Sequence, residues 1–125
     1  MTENEISYEV RGAIYSVYNG LGPGLLESIY SEALIYELRK NSLKVQKEVV
    51  VPVYYDGKLL TKEYRIDILV ENKVIIEIKS VKEIAKVHHK QLLTYLKLTK
   101  LKLGILVNFN EAEINNGIYR KVNNL

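Results

Sequence analysis

Three features of the sequence predict an α/β fold, a mixed sheet flanked by helices with an extra helix at the N-terminus. The apolar period changes from helical to alternating near residue 43. Two tight-turn signals, Asp56-Gly57 and Glu71-Asn72-Lys73, then separate three strand-like runs. A further amphipathic stretch leads to a last apolar strand, and a strand reached through a crossover helix pairs in parallel. A chain of 125 residues is the length of one domain, here residues 1–125.

Each element has its own warrant. Residues 5–19 place Ile6, Val10, Ala13, Ile14 and Val17 at helical spacing, and Gly20, Gly22 and Pro23 end that helix. A second helix over about 24–40 carries Leu26, Ile29, Tyr30, Ala33 and Leu34 as its apolar stripe. From Leu43 to Tyr55 the odd positions are apolar except Lys47, so this run reads as a strand. The return strand covers about 59–70 and the next about 74–81. A third helix spans about 84–98. Leu101 to Phe109 forms a fourth strand, again apolar at odd positions, and Ile118–Val122 a short fifth.

Composition excludes several classes of function. With no cysteine, the chain has neither disulfides nor thiolate metal sites. The N-terminus MTENEISYEV lacks the basic and apolar regions of a signal peptide. No apolar run approaches the ~18 residues that a membrane helix needs. A soluble, cytoplasmic protein with no membrane partner is expected. The net charge of +3 is compatible with binding nucleic acid.

The stretch YRIDILVENKVIIEIKS carries the chemistry. Side chains alternate faces along a strand. Tyr64, Ile66, Ile68 and Val70 are apolar on one strand, and Val74, Ile76 and Ile78 on the next. Placing both sets on one core face pairs Val70 with Val74 and leaves Glu71-Asn72-Lys73 as the loop, with Asn72 able to take positive φ. Asp67 then lies opposite Glu77, and Arg65 opposite Lys79. Facing carboxylates repel, with Cβ atoms ~4.5–5.5 Å apart. A divalent cation between them resolves the repulsion, and hard oxygen ligands suit Mg²⁺ or Mn²⁺. Lys79, two residues beyond Glu77, shares that face. The competing reading is a solvated chequerboard in which Arg65–Glu77 and Asp67–Lys79 attract along the diagonals, each pair worth ~0–1 kcal/mol.

Asp67 followed by Glu77-Ile78-Lys79 resembles the signature of the PD-(D/E)xK nuclease superfamily. Ile66 stands at the "P" of the name. The element order from the second helix to the fourth strand, roughly residues 20–110, resembles the restriction-endonuclease-like αβββαβ core. Gln91 and Tyr95, one helical turn apart, resemble the QxxxY motif of RecB-like members. GPGLLESIY resembles the start of the small GxxExxR family in Gly24 and Glu27, with Tyr30 at the position of the Arg.

The resemblance implies a metal-dependent phosphodiesterase acting on DNA with little sequence specificity. It implies Asp67, Glu77, Lys79 and Gln91 as the catalytic set, and Asp67, Glu77, the Ile78 carbonyl and Glu27 as ligands of Mg²⁺ or Mn²⁺. Basic residues near the site, Arg65, Lys82, Lys86, His89 and Lys90, are candidates to hold phosphates, with Tyr95 beside them. Adjacent His88 and His89 diverge on a helix, which disfavours a joint zinc site. So small a domain builds a groove more readily as a homodimer. The rival reading is a nuclease fold without catalysis, serving as a DNA-binding or assembly module.

Overall fold

In the computed structural model, which describes residues 1–125, two helices precede the sheet: α1 (Glu3–Leu21) and α2 (Glu27–Lys40). Three strands follow, β1 (Val45–Tyr55), β2 (Lys58–Val70) and β3 (Val74–Lys79), then α3 (Lys86–Thr99), β4 (Leu103–Asn108) and β5 (Ile118–Val122). The sheet order is β1-β2-β3-β4-β5, and only β3 and β4 run parallel. The αβββαβ order and the mixed sheet expected from the sequence are both present.

Helices α1 and α2 cover one face of the sheet. Ile6, Val10, Ala13, Ile14 and Val17 of α1 are all buried there, against Ile68, Val70, Val74, Ile76, Ile78 and the odd residues of β4. Helix α3 covers the other face, where Leu92, Tyr95 and Leu96 pack on Leu69, Ile75 and Leu106. A sheet apolar on both faces explains the burial of β3 from Val74 to Ile78 and of all of β4. Gly104 allows α3 to lie close to β4. A Cβ built on it would stand 2.6 Å from Leu92 Cδ1.

Two expectations need correction. The stripe of α2 is Tyr30, Leu34, Ile35 and Leu38, not Leu26 and Ile29. Leu26 precedes the first helical residue and is 70% exposed, and Ile29 points outward, because the Tyr30 ring stacks on Phe109 and so fixes the helix rotation. The apolar even residues of β2 also do not share one face. Ile68 and Val70 join the α1/α2 core, whereas Ile66 lies under α3. Opposite, Val45 faces the first core and Val51 the second. Register is kept across this reversal, with Lys47 paired to Ile68 and Val49 to Ile66. Between them Glu48 takes φ 53°, a left-handed conformation, and the Glu48–Asp67 rung is missing. The ribbon turns over at Asp67.

Beyond that point β1 and β2 run on as a two-stranded arm to the turn at Asp56-Gly57, whose φ values of 53° and 74° suit a tight hairpin. The second loop has three residues, as expected, with Glu71 as well as Asn72 at positive φ.

Candidate active site

The β2–β3 ladder runs Val70–Val74, Leu69–Ile75, Ile68–Ile76 and then stops. Its next rung is Asp67–Glu77, the expected pairing of acids, but side chains replace the backbone bonds there. The Ile78 N–H donates to Asp67 Oδ2 at 2.8 Å, and the Asp67 N–H donates to Glu77 Oε2 at 3.3 Å. The turn-over of β2 at Asp67 swings its carboxylate towards β3, and each acid accepts a backbone N–H of the opposite strand. The strands part beyond this point, so Arg65 and Lys79 are not ladder partners.

Glu77 is 5% exposed, the only acidic side chain in the core. Burial pushes its carboxyl up to about 10, and the neighbouring Asp67 adds to the rise, while Lys79 pulls weakly the other way. Two carboxylates so placed, one of them buried, form a donor set of hard oxygens that suits a divalent cation, whose charge would replace the proton on Glu77. No third Asp, Glu or His converges on them. The surface chequerboard is also absent: the single salt bridge of the chain is Lys40–Glu37, remote in sequence from the hairpin.

Lys79 ends β3, half-buried, level with Asn108 on the parallel strand β4. The segment after it is fastened from two sides. Asn108, fully buried, accepts the Val81 N–H at 3.0 Å through Oδ1 and donates through Nδ2 to the Val81 carbonyl at 2.9 Å. From the α2 side, Glu27 Oε2 accepts the Ser80 N–H at 3.1 Å, and Ser80 Oγ donates to the Leu25 carbonyl at 2.6 Å. Glu27 is thus engaged by backbone through one oxygen, and Asp67, Glu77 and Glu27 do not form a three-acid cluster.

Tyr30 has a clear task. Its ring stacks on Phe109, with centroids 4.3 Å apart and planes 6° from parallel. Its hydroxyl accepts the Leu25 N–H at 3.0 Å and donates to the Gly22 carbonyl. Gly22 and Gly24, at φ 69° and 92°, give the loop a path open to few other residues. Tyr30 therefore holds the loop that delivers Glu27 and Leu25 to Ser80.

On α3, Gln91 and Tyr95 lie one turn apart as expected. Gln91 is half-buried and reaches an open pocket. Tyr95 is 4% exposed, so it is not a surface contact for nucleic acid. It packs edge-on against Tyr64, and its phenol is pushed up to about 12 by burial first, then by Glu77 and Asp67. His89 is half-buried: its ring packs edge-on against Tyr119 of β5, and its Nδ1 is buried without a partner. His88 instead accepts the Ala85 N–H through Nδ1 at 3.0 Å and lines the pocket. The two imidazoles diverge, as helical geometry requires. Arg65, Lys82, Lys86 and Lys90 are exposed.

Asn108, Ser80 and Tyr64 were not singled out by sequence reasoning. For Asn108 a signal existed: a polar residue closes an otherwise apolar run, LGILVNF, at the carboxyl end of a strand that comes out of a crossover, where open α/β sheets place their ligands. Ser80 and Tyr64 carry no such mark.

A model of the PD-(D/E)XK nuclease superfamily matches residues 4–121. Among solved structures, the crystal structure of SSO0001 superposes with a TM-score of 0.58 at 30% sequence identity, covering 79% of this chain and 51% of that one. The chain thus spans about half the length of that relative. Comparison with curated proteins gives no match.

Proposed function

Since the chain belongs to the PD-(D/E)XK nuclease superfamily, we propose that it is a metal-dependent phosphodiester hydrolase that cuts DNA with little sequence specificity. One observation carries this reading: Asp67 and the buried Glu77 meet where the β2–β3 ladder opens, with Lys79 on the same strand two residues on. Two backbone acceptors could be neutral groups, whereas two neighbouring acids, one of them buried, each raise the cost of ionising the other, a cost that a bound cation would offset.

Asp67 and Glu77 would hold Mg²⁺ or Mn²⁺, with the Ile78 carbonyl as a further oxygen donor. Bound there, the ion would acidify water and polarise the phosphoryl oxygen. The chain's own groups do the rest. Lys79 offsets charge developing on the phosphate and orients the attacking water. Gln91 orients Lys79. Asn108 and Glu27 fix the backbone that follows Lys79, so its ammonium works from a rigid base. Arg65, Lys82, Lys86 and Lys90 hold the phosphates on either side, contacts that position a strand without reading it. A second copy of the chain, in a homodimer, would lengthen this groove.

The test is cleavage of linear, nicked and single-stranded DNA in Mn²⁺, Mg²⁺ or EDTA, beside Glu77→Ala and Lys79→Ala. Metal-dependent cutting that is lost in both variants supports the reading. Intact DNA under every condition with a folded protein, together with no metal-dependent rise in melting temperature, would overturn it and leave a non-catalytic binding module.

A further inference from the structure

We propose that the open pocket beside the carboxylate pair is a nucleobase subsite with the Tyr64 ring as its stacking platform, so that the substrate presents an unpaired nucleotide next to the scissile phosphate. This rests on the nuclease reading and adds to it the class of substrate.

The pocket has a volume of about 450 Å³ and is lined by Tyr64, Val87, His88, Lys90, Gln91 and Thr94. That lies within the ~300–1,000 Å³ usual for small-molecule sites. Its position is set by two contacts. Gln91 belongs both to this wall and to the α3 turn above Tyr95. Tyr64 packs edge-on against Tyr95 at 5.3 Å and lies on β2 three residues before Asp67. The platform is thus carried by the same strand as one of the carboxylates.

The lining has the two kinds of group that a base requires. The first is an apolar face. Tyr64 is held on its Tyr95 side yet stays 39% exposed, and Val87 beside the opening is 64% exposed. Base–aromatic stacking is tolerant of sequence because every base has a π-face. The second is a set of edge readers. Ala85 N–H donates to His88 Nδ1, so the neutral imidazole carries its proton on Nε2 and offers a donor. Gln91 offers a donor and an acceptor. Thr94 already donates its hydroxyl to the Lys90 carbonyl at 3.0 Å, which leaves it an acceptor. Lys90 supplies a cation for the adjoining phosphate. A purely apolar occupant would leave these polar groups unmatched, and an inorganic anion would leave Tyr64 and Val87 unmatched.

A base inside a duplex is stacked on both faces and paired along its edge. It cannot reach Tyr64 without leaving the stack, which costs a few kcal/mol and least where the strand is already single. The subsite therefore favours single strands, frayed ends or flaps over intact duplex.

The chain contains no tryptophan, so Tyr64→Trp introduces a sole indole at the platform. Its fluorescence is followed in EDTA with a single-stranded oligonucleotide, an abasic strand of the same length, and a blunt duplex. Binding constants of the same three probes are measured for wild type, Tyr64→Phe and Tyr64→Ala, each checked for folding by circular dichroism. The expected result is quenching by the single strand and not by the abasic strand. Tyr64→Ala should weaken single-strand binding by roughly 5- to 150-fold, with Tyr64→Phe near wild type and duplex binding unchanged. Equal quenching by the abasic strand, single-strand affinity unaltered in Tyr64→Ala, or no single-strand binding at all would overturn the subsite. The binding arm involves no turnover. Absent cleavage therefore counts against the nuclease reading alone, and cleavage without the stacking signal counts against the subsite alone.

Discussion

Asp67 Oδ2 receives the backbone N–H of Ile78 at 2.8 Å, in the place where β2 would otherwise offer a carbonyl. A side chain has been exchanged for a rung of the sheet. The exchange explains why an acid is tolerated inside a strand and why it is aimed at Glu77. It also separates two roles of Asp67, as acceptor and as charge.

Asp67→Asn keeps an acceptor for Ile78 and removes the charge. Cleavage should fall by at least about 100-fold, since the negative donor is lost. The metal-free protein should lose on the order of 1 kcal/mol, a fall of several degrees in melting temperature, because the protonated Glu77 then faces a neutral amide in place of a carboxylate. Thermal melts in EDTA beside cleavage assays check both halves.

Glu77 should make the metal-free protein less stable as pH rises. Its folded-state pKa, about 10, lies above its ordinary value of 4.5. The folded protein therefore holds the proton more tightly, and the benefit is complete below about pH 4.5 and lost as pH climbs towards 10. Binding a divalent cation should expel about one proton at neutral pH, so apparent affinity should rise up to about tenfold per pH unit. Calorimetric titration of Mn²⁺ in buffers of different ionisation enthalpy measures the proton, and Glu77→Gln should abolish its release.

Tyr30→Phe should preserve the Phe109 stack and strand the Leu25 N–H and Gly22 carbonyl. The expected cost is about 1–3 kcal/mol. Amide exchange at Leu25 and Ser80 should accelerate more than exchange in α1, which distinguishes a freed loop from general destabilisation.

Gly104→Ala would bring a methyl within 2.6 Å of Leu92 Cδ1 and 3.0 Å of Cγ. Helix α3 must rise or Leu92 must leave its rotamer, at about 1–3 kcal/mol. Gln91 is the next residue, so cleavage should drop beyond what lost stability explains. Pairing the change with Leu92→Ala should recover part of the activity.

Much of this was legible from residue order. The αβββαβ path, the parallel β3–β4 pair, both hairpin loops and the Asp67–Glu77 pairing follow from period and turn chemistry, which are local. The sequence could not reveal that Ile66 and Ile68 face opposite cores. Strict alternation says otherwise, and the reversal depends on the left-handed Glu48 across the ladder, a residue type with no preference for that conformation. The burial of Tyr95 and the turning of His89 onto Tyr119 depend on how closely α3 settles on the sheet, which Gly104 decides from another element. Glu27 was legible as a helix-start acid but not its engagement with Ser80, a contact between residues 53 positions apart.

The hydroxyl of Tyr30 has one more consequence. The loop it fastens is held by neutral hydrogen bonds, and the chain's single salt bridge lies elsewhere. Ionic strength screens exposed charges and leaves buried neutral contacts almost untouched. Added salt should therefore weaken capture of a polyanion, which releases counterions, while the loop from Gly22 to Leu25 keeps its arrangement. In this molecule grip and geometry answer to different solutes, and sodium chloride alone can take them apart.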